Sequence, residues 1–238
     1  MNLTTFLKEN AKFALDEKRS LNPSVWKRDK LLPEVCEALN KIGDAFVKYL
    51  NVTDLKVVDY IMTGSLANYT WHQDSDIDLH ILVELPDDKN HDNMIELFMA
   101  KKGLWNAEHG IEIKGFPVEL YVQPASEKHA STGVYSLKKN EWITQPKKQN
   151  PSIDDDAVLV KANKWKSKIN ALLKNNSENL EQINAFKTKL RDMRKMGLDK
   201  SGEFAIENLA FKILRNDGFI KKLYDYSKDL EDKQFSLK

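Results

Sequence analysis

The sequence predicts an α/β (α+β) fold: a small mixed sheet with N-terminal helices packed on it, followed by a C-terminal helical domain. Three observations carry this. Apolar residues recur at helical spacing up to Leu50, and the period drops to two from Lys56 onward. The short alternating runs stop near Pro146, where the polar, proline-bearing stretch KKQNPSIDDDA begins. From Ala157 the chain reads as helix with only two breaks. A domain boundary is therefore expected at about residue 150, dividing the chain into 1–150 and 151–238.

The elements follow in order. Thr4 to Lys18 has Phe6, Leu7, Ala11, Ala14 and Leu15 on one side and predicts a helix. LNPSVW interrupts it, since Pro23 stops regular structure. Leu31 to Leu50 is a second helix, with Leu32, Val35, Leu39, Ile42, Phe46 and Leu50 in register. Lys56 to Met62 is rich in β-branched and aromatic residues and predicts a strand. A tight Gly64-Ser65 connection leads to a second strand over Asp76 to Glu84, ended by Pro86. Asp92 to Lys102 suggests a helix with Met94, Leu97 and Phe98 inward. Ile111 to Lys114 and Val118 to Gln123 are short strands. GVYSLKKNEWITQP is a hairpin turning at Lys138 to Asn140. The C-terminal helices are expected over Ala157–Lys174, Ser177–Met196 and Glu203–Asp229.

Composition sets bounds on function. Of 238 residues, 31% are charged and 41% hydrophobic, an ordinary globular balance, and the formal net charge is only +1. A partner held by bulk charge is not indicated, although a local basic face is compatible with it. Cys36 is the single cysteine, which excludes a disulfide framework and a cysteine-rich zinc site. No apolar run reaches the roughly 18 residues of a membrane span. The N-terminus lacks the continuous apolar segment of a secretory signal, so the expected location is the cytoplasm.

The chemistry concentrates in Met62 to Leu85. On a strand, alternate residues share a face, so Asp76, Asp78 and His80 lie opposite Ile77, Leu79, Ile81 and Val83. Two carboxylates held side by side repel unless a cation sits between them. Mg²⁺ suits such a site, because it prefers hard oxygen ligands and is completed by substrate phosphates. In FPVELYVQ, the apolar Val118, Leu120 and Val122 turn Glu119 to the other face with Tyr121 and Gln123. If that strand lies beside the Asp76 strand, Glu119 joins the two aspartates, giving a two-metal site for in-line phosphoryl displacement. Gly64 lets the backbone approach a ligand, and Ser65 offers a hydroxyl. Phosphate binding there is strengthened if Leu66 to Tyr69 begins a helix. Glu112 is a competing third acid in a weaker pattern, and Asp74 has a minor role at most.

TGSLANYTWHQDSDIDLHI resembles the signature of the polymerase-β-like nucleotidyltransferase superfamily: a Gly-Ser pair, about ten residues, Asp-x-Asp, then a third acid on a later strand. Together with LNPSVW, GFPVELYVQ, STGVYSL and NPSIDDDAV it is similar to predicted nucleotidyltransferases common in bacteriophage genomes. The resemblance covers about Lys56 to Gln123 most specifically. It implies that Asp76, Asp78 and Glu119 hold two Mg²⁺, with Mn²⁺ as an alternative, and that Gly64 and Ser65 hold a nucleoside triphosphate. It also implies a helical domain that closes the cleft and offers Lys161 and Lys164 to the triphosphate. The third acid is glutamate where many relatives have aspartate. The Thr70-Trp71 segment and helical C-terminal half resemble CCA-adding enzymes and poly(A) polymerases, which implies an RNA 3′ end, tRNA-like, as acceptor. Lys212, Arg215, Lys221 and Lys222 offer a patch for such an RNA. The same spacing fits a synthase of cyclic or linear oligonucleotide messengers, or nucleotidylation of a protein or small molecule. Trp71 stacks on a base or caps the core, and His80, on the aspartate face, is expected to support the acids or simply be a satisfied histidine rather than to contact a metal-bound water or phosphate.

Overall fold

A six-stranded mixed sheet carries the segment from Lys56 to Thr144. The computed structural model describes residues 17–85, 91–127, 129, 131–148, 153–174 and 179–236. Two compact units result, one over Glu17–Gln149 and one taking in Asn150–Lys238. Most of the expected helix over Thr4 to Lys18 lies outside the described residues, as does Pro86, and residues 17 and 18 are not helical.

In the first unit LNPSVW leads into a hairpin that the sequence did not announce: β1 (Trp26–Lys27) and β2 (Lys30–Leu31). Strands of two residues are too short to show a period. The hairpin is held by Trp26, which is buried, stacks on Trp142 at 4.7 Å and donates its indole N–H to Leu66 O at 2.7 Å. Helix α1 (Pro33–Leu50) begins two residues later than expected, with Pro33 in its first turn, where a missing N–H costs nothing. Asn51 ends it in the left-handed conformation. Val35, Leu39, Phe46 and Leu50 form its buried stripe.

The sheet order is β5-β6-β4-β3-β7-β8, with β3 (Lys56–Thr63), β4 (Ile77–Glu84), β5 (Glu112–Ile113), β6 (Phe116–Pro124), β7 (Val134–Ser136) and β8 (Glu141–Thr144). Only β4 and β6 run parallel. Their crossover contains α2 (His91–Glu108), as parallel neighbours require. Ile77, Leu79, Ile81 and Val83 are fully buried, and Leu120 of β6 joins them in the core under α1 and α2. Val118 and Val122 are half-buried against the same core.

Helix α2 continues six residues past its expected end at Lys102. Gly103 looks like a stop, yet a helix tolerates one glycine at about 1 kcal/mol. Burial of Phe98 and Trp105, one on each side of it, outweighs that cost. Leu97, expected inward, is instead 43% exposed. The extra turns matter because Asn106 of α2 binds the free edge of β6: its Oδ1 accepts from Leu120 N at 3.3 Å and its Nδ2 donates to Leu120 O at 3.5 Å. Lys101 donates to Leu50 O at 2.6 Å and so satisfies the carboxyl end of α1.

The second unit contains α3 (Asp155–Lys174), α4 (Leu180–Ser201), α5 (Ile206–Asn216) and α6 (Phe219–Phe235). Asn179 caps α4 by accepting from Gln182 N at 3.1 Å. The single helix expected over Glu203–Asp229 is two helices, because Gly218 leaves helical geometry at φ 75° and breaks it. Val158, Ala162, Leu209 and Ala210 form one core of this unit, and Ile169, Ile183, Leu190, Leu214 and Leu223 form another.

Two glycines test these contacts in opposite directions. A Cβ on Gly133 falls 1.9 Å from Ala67 O, so Gly133→Ala is expected to destabilise the fold by about 1–3 kcal/mol. Gly103 has open space around it, and Gly103→Ala is expected to stabilise by about 0.5–1 kcal/mol. Urea midpoints of the two variants check both; equal midpoints would refute the packing described.

Candidate active site

Strand pairing lines up the acidic residues. Thr63 of β3 lies opposite Asp78 of β4, and Asp78 lies opposite Glu119 of β6. Thr63, Asp78 and Glu119 therefore form a row across three adjacent strands, with Gly64 just past the end of β3 and against Asp78. Asp76 precedes β4 by one residue and shares the face of Asp78. One carboxylate oxygen from each of Asp76, Asp78 and Glu119 lies within 4.8 Å of the others, and all three residues are half-buried. Glu112 sits exposed on β5 and takes no part in this group.

Gly64 has φ 76° and ψ −163°, a conformation essentially restricted to glycine. A Cβ there would fall 1.7 Å from Asp78 Oδ2. The carboxylate thus lies directly against the backbone of the Gly-Ser turn. Ser65 Oγ donates to Ser75 Oγ at 2.8 Å, and the same Ser75 Oγ accepts from His72 N at 3.0 Å. This ties the turn to the segment entering Asp76. The helix expected from Leu66 to Tyr69 is a single 3-10 turn, Ser65–Ala67. It ends where Asn68 becomes extended, so this segment is too short to lend the site a helix macrodipole.

Several residues around the acids had no assigned role in the sequence. Tyr121 Oη donates to Glu119 Oε2 at 2.6 Å, fixing the third acid's side chain. Burial raises the phenol's pKa, and its bond to Glu119 acts the same way, so Tyr121 remains a donor. Lys102 of α2 lies over the Tyr121 ring, 3.8 Å from its centroid. Burial lowers the Lys102 pKa, while Glu119 and Asp78 favour its charged form. His80 stacks on Tyr121 at 4.7 Å, and its Nδ1–H donates to Gln123 Oε1. Gln123 Nε2 in turn donates to His129 Nδ1 at 3.1 Å. Period-two alternation already put Tyr121 and Gln123 on Glu119's face. Nothing in the sequence pointed Lys102 at them, because periodicity gives a helix's inner face but not the strand it meets.

The remaining candidates fall elsewhere. Trp71 is half-buried against the core and donates to Ser20 O at 2.9 Å. Lys161 and Lys164 belong to α3 in the second unit, where Lys161 pairs with Glu207 and Lys164 is exposed. Lys221 of α6 pairs with Asp225 at 2.6 Å.

The donor set fits a hard divalent cation: three carboxylates, converging, on a face otherwise closed by Lys102, Tyr121 and the 64–67 turn. It is a poor fit for a softer metal that needs thiolate, since no cysteine is near. Burial pulls His80 down to about 4, His129 and Lys102 act in the same sense, and the bond to Gln123 opposes them. The unfolded chain therefore binds a proton at His80 that the folded chain refuses between about pH 6.5 and 4. In chelator, stability is expected to fall by roughly 2–3 kcal/mol as pH drops through that window. His80→Gln should flatten the profile in urea titrations at pH 7, 6, 5 and 4; an unchanged slope would contradict this placement of His80.

Comparison with known proteins identifies the family. The family model of the nucleotidyltransferase domain matches residues 44–207, which is most of the chain and includes all three acids. No curated protein sequence matches. Among solved structures, a STING-associated CdnE c-di-GMP synthase from Capnocytophaga granulosa is similar at 12% identity, with 98% of this chain and 100% of that chain covered and a TM-score of 0.25. On the family match, with Asp-x-Asp and a third acid paired on adjacent strands, the chain belongs to the nucleotidyltransferase domain family.

Proposed function

We propose that the protein transfers a nucleoside monophosphate from a nucleoside triphosphate to an acceptor hydroxyl and releases pyrophosphate. The observation that carries this reading is the convergence of Asp76, Asp78 and Glu119, with the Gly64 backbone directly against Asp78. Asp76, Asp78 and Glu119 hold two Mg²⁺, which when bound polarise the attacking and leaving oxygens of an in-line displacement. Gly64 brings the main chain close enough to hold the β- and γ-phosphates, with the Ser65 hydroxyl beside them. Tyr121 keeps the Glu119 side chain oriented. The acceptor oxygen attacks the α-phosphorus and loses its proton to Glu119 or water, and the bond from the α-phosphorus to the bridging oxygen breaks. Lys102 and the stacked His80 pack on the Tyr121 ring and hold it in place.

The domain arrangement of this reading is a catalytic domain over 1–150 and a helical domain over 151–238 that closes the cleft. Lys161 then exchanges Glu207 for phosphate, and Lys164 assists it. The acceptor is the 3′ end of an RNA, as the likeness to CCA-adding enzymes implies.

Purified protein with Mg²⁺ and each of the four α-labelled triphosphates, with and without total RNA, tests the proposal. RNA lengthened by label is the expected product. Label in an oligonucleotide formed without RNA would move the acceptor to a second nucleotide, and label on protein would move it to a side chain. Asp76→Ala and Asp78→Ala should each lower transfer at least about 100-fold while melting in chelator at or above the wild-type temperature, since each removes a repelling charge. Wild-type turnover in either variant would refute the assignment.

A further inference from the structure

Outside the acids, the first unit has a second cleft, of about 270 Å³, lined by Arg19, Arg28, Asp29, Tyr69, Trp142 and Pro146 among others. We propose that it binds one unit of a single-stranded polynucleotide, with phosphates on Arg19 and Arg28 and a base against Tyr69 or Trp142. The proposal rests on the nucleotidyl-transfer reading only in naming the strand as the acceptor.

The walls are built rather than incidental. Trp142 stacks on Trp26 and donates its indole N–H to Asp29 O at 2.7 Å, which fixes the turn between β1 and β2. Arg28 occupies that turn at φ 61°, a left-handed position where Gly or Asn would be cheaper by about 1 kcal/mol. On the other side, Lys148 donates to Arg19 O at 2.7 Å and lies over the Tyr69 ring at 5.1 Å. Lys18 N donates to Tyr69 O at 2.6 Å.

Charge selects the ligand. Neither the Arg19 nor the Arg28 guanidinium has a partner among the described residues, and Lys148 adds a third cation beside Tyr69. Asp29 is the single acid among the lining residues. A guanidinium fork matches phosphate oxygens two at a time, and aromatic rings accept any base on their faces. The volume falls just below the range of pockets that engulf a free small molecule. It suits one unit of a longer chain.

The cleft also adjoins the Gly-Ser turn. Trp26, which backs Trp142, donates to Leu66 O. Gly133 approaches Ala67 O so closely that an added Cβ would fall 1.9 Å from it and 3.2 Å from Pro146 Cβ. A strand seated between the hairpin and Tyr69 is thereby anchored next to the 64–67 turn that borders Asp78.

Anisotropy of a fluorescent 12-nucleotide single-stranded RNA, and of its DNA counterpart, tests this with the full chain in EDTA, where no transfer occurs. Wild type is expected to bind, and Arg19→Ala/Arg28→Ala to bind at least tenfold more weakly. The slope of log affinity against log salt should fall by about 1.4 for the two lost phosphate contacts. Binding of the DNA as well, with the same arginine dependence, equally supports the site. Wild-type affinity and slope in the double variant would overturn it, as would no wild-type binding or equal binding of polyglutamate. Because EDTA removes turnover, arginine-dependent binding stands even if no triphosphate is consumed, and active transfer without such binding refutes this site alone.

Discussion

Asp78 is confined between two neighbours on its own sheet. On one side the backbone of Gly64 approaches so closely that a single methyl group would fall 1.7 Å from the carboxylate; on the other, Glu119 stands directly opposite in a parallel strand. Asp76 approaches from the loop. Two unit negative charges at 4.8 Å, the outer limit of this cluster, repel by roughly 3 kcal/mol at an effective dielectric of 20. Hydrophobic burial on the far side of β4 keeps the strand in place against that repulsion. A register slip by one residue would move the aspartates into the core and Ile77, Leu79 and Ile81 out of it, so the core fixes the positions of the acids.

Helix α2 and strand β6 form the second half of that arrangement. A parallel neighbour for β4 requires a crossover, and the crossover helix brings Asn106 to the exposed edge of β6 and Lys102 over Tyr121. Asn106 supplies hydrogen bonds that another strand would otherwise make. Lys102 supplies positive charge that Glu119 and Asp78 both favour. Tyr121 connects the two, with its ring under the lysine and its hydroxyl on Glu119. Three residues on two elements therefore determine where the third acid points.

Part of this was legible in the sequence. The aspartate face of β4 was, because four aliphatics at period two leave no alternative burial. Glu119 was, because Val118 and Leu120 bracket it. The parallel register that sets Glu119 against Asp78 was not, since pairing partners are chosen by the packing of α2 and by edges that no local pattern encodes. Gly103 hid the end of α2, and with it Asn106. Gly218 divided a helix whose apolar stripe runs on through it, and the β1–β2 hairpin was too short to carry any period. The short Ser65–Ala67 turn replaced an expected helix because Asn68 leaves helical geometry at once.

The central claim is that these carboxylates, placed by the core, bind a pair of divalent ions together with a triphosphate. Counting bound Mn²⁺ by electron paramagnetic resonance, with a non-hydrolysable triphosphate analogue present, tests it most directly. Two ions per chain in the wild type, and none retained when Asp78 is replaced by Asn, is the result the account requires. A wild-type chain that leaves Mn²⁺ free in the presence of the analogue, or an Asn variant that binds it equally well, would contradict it.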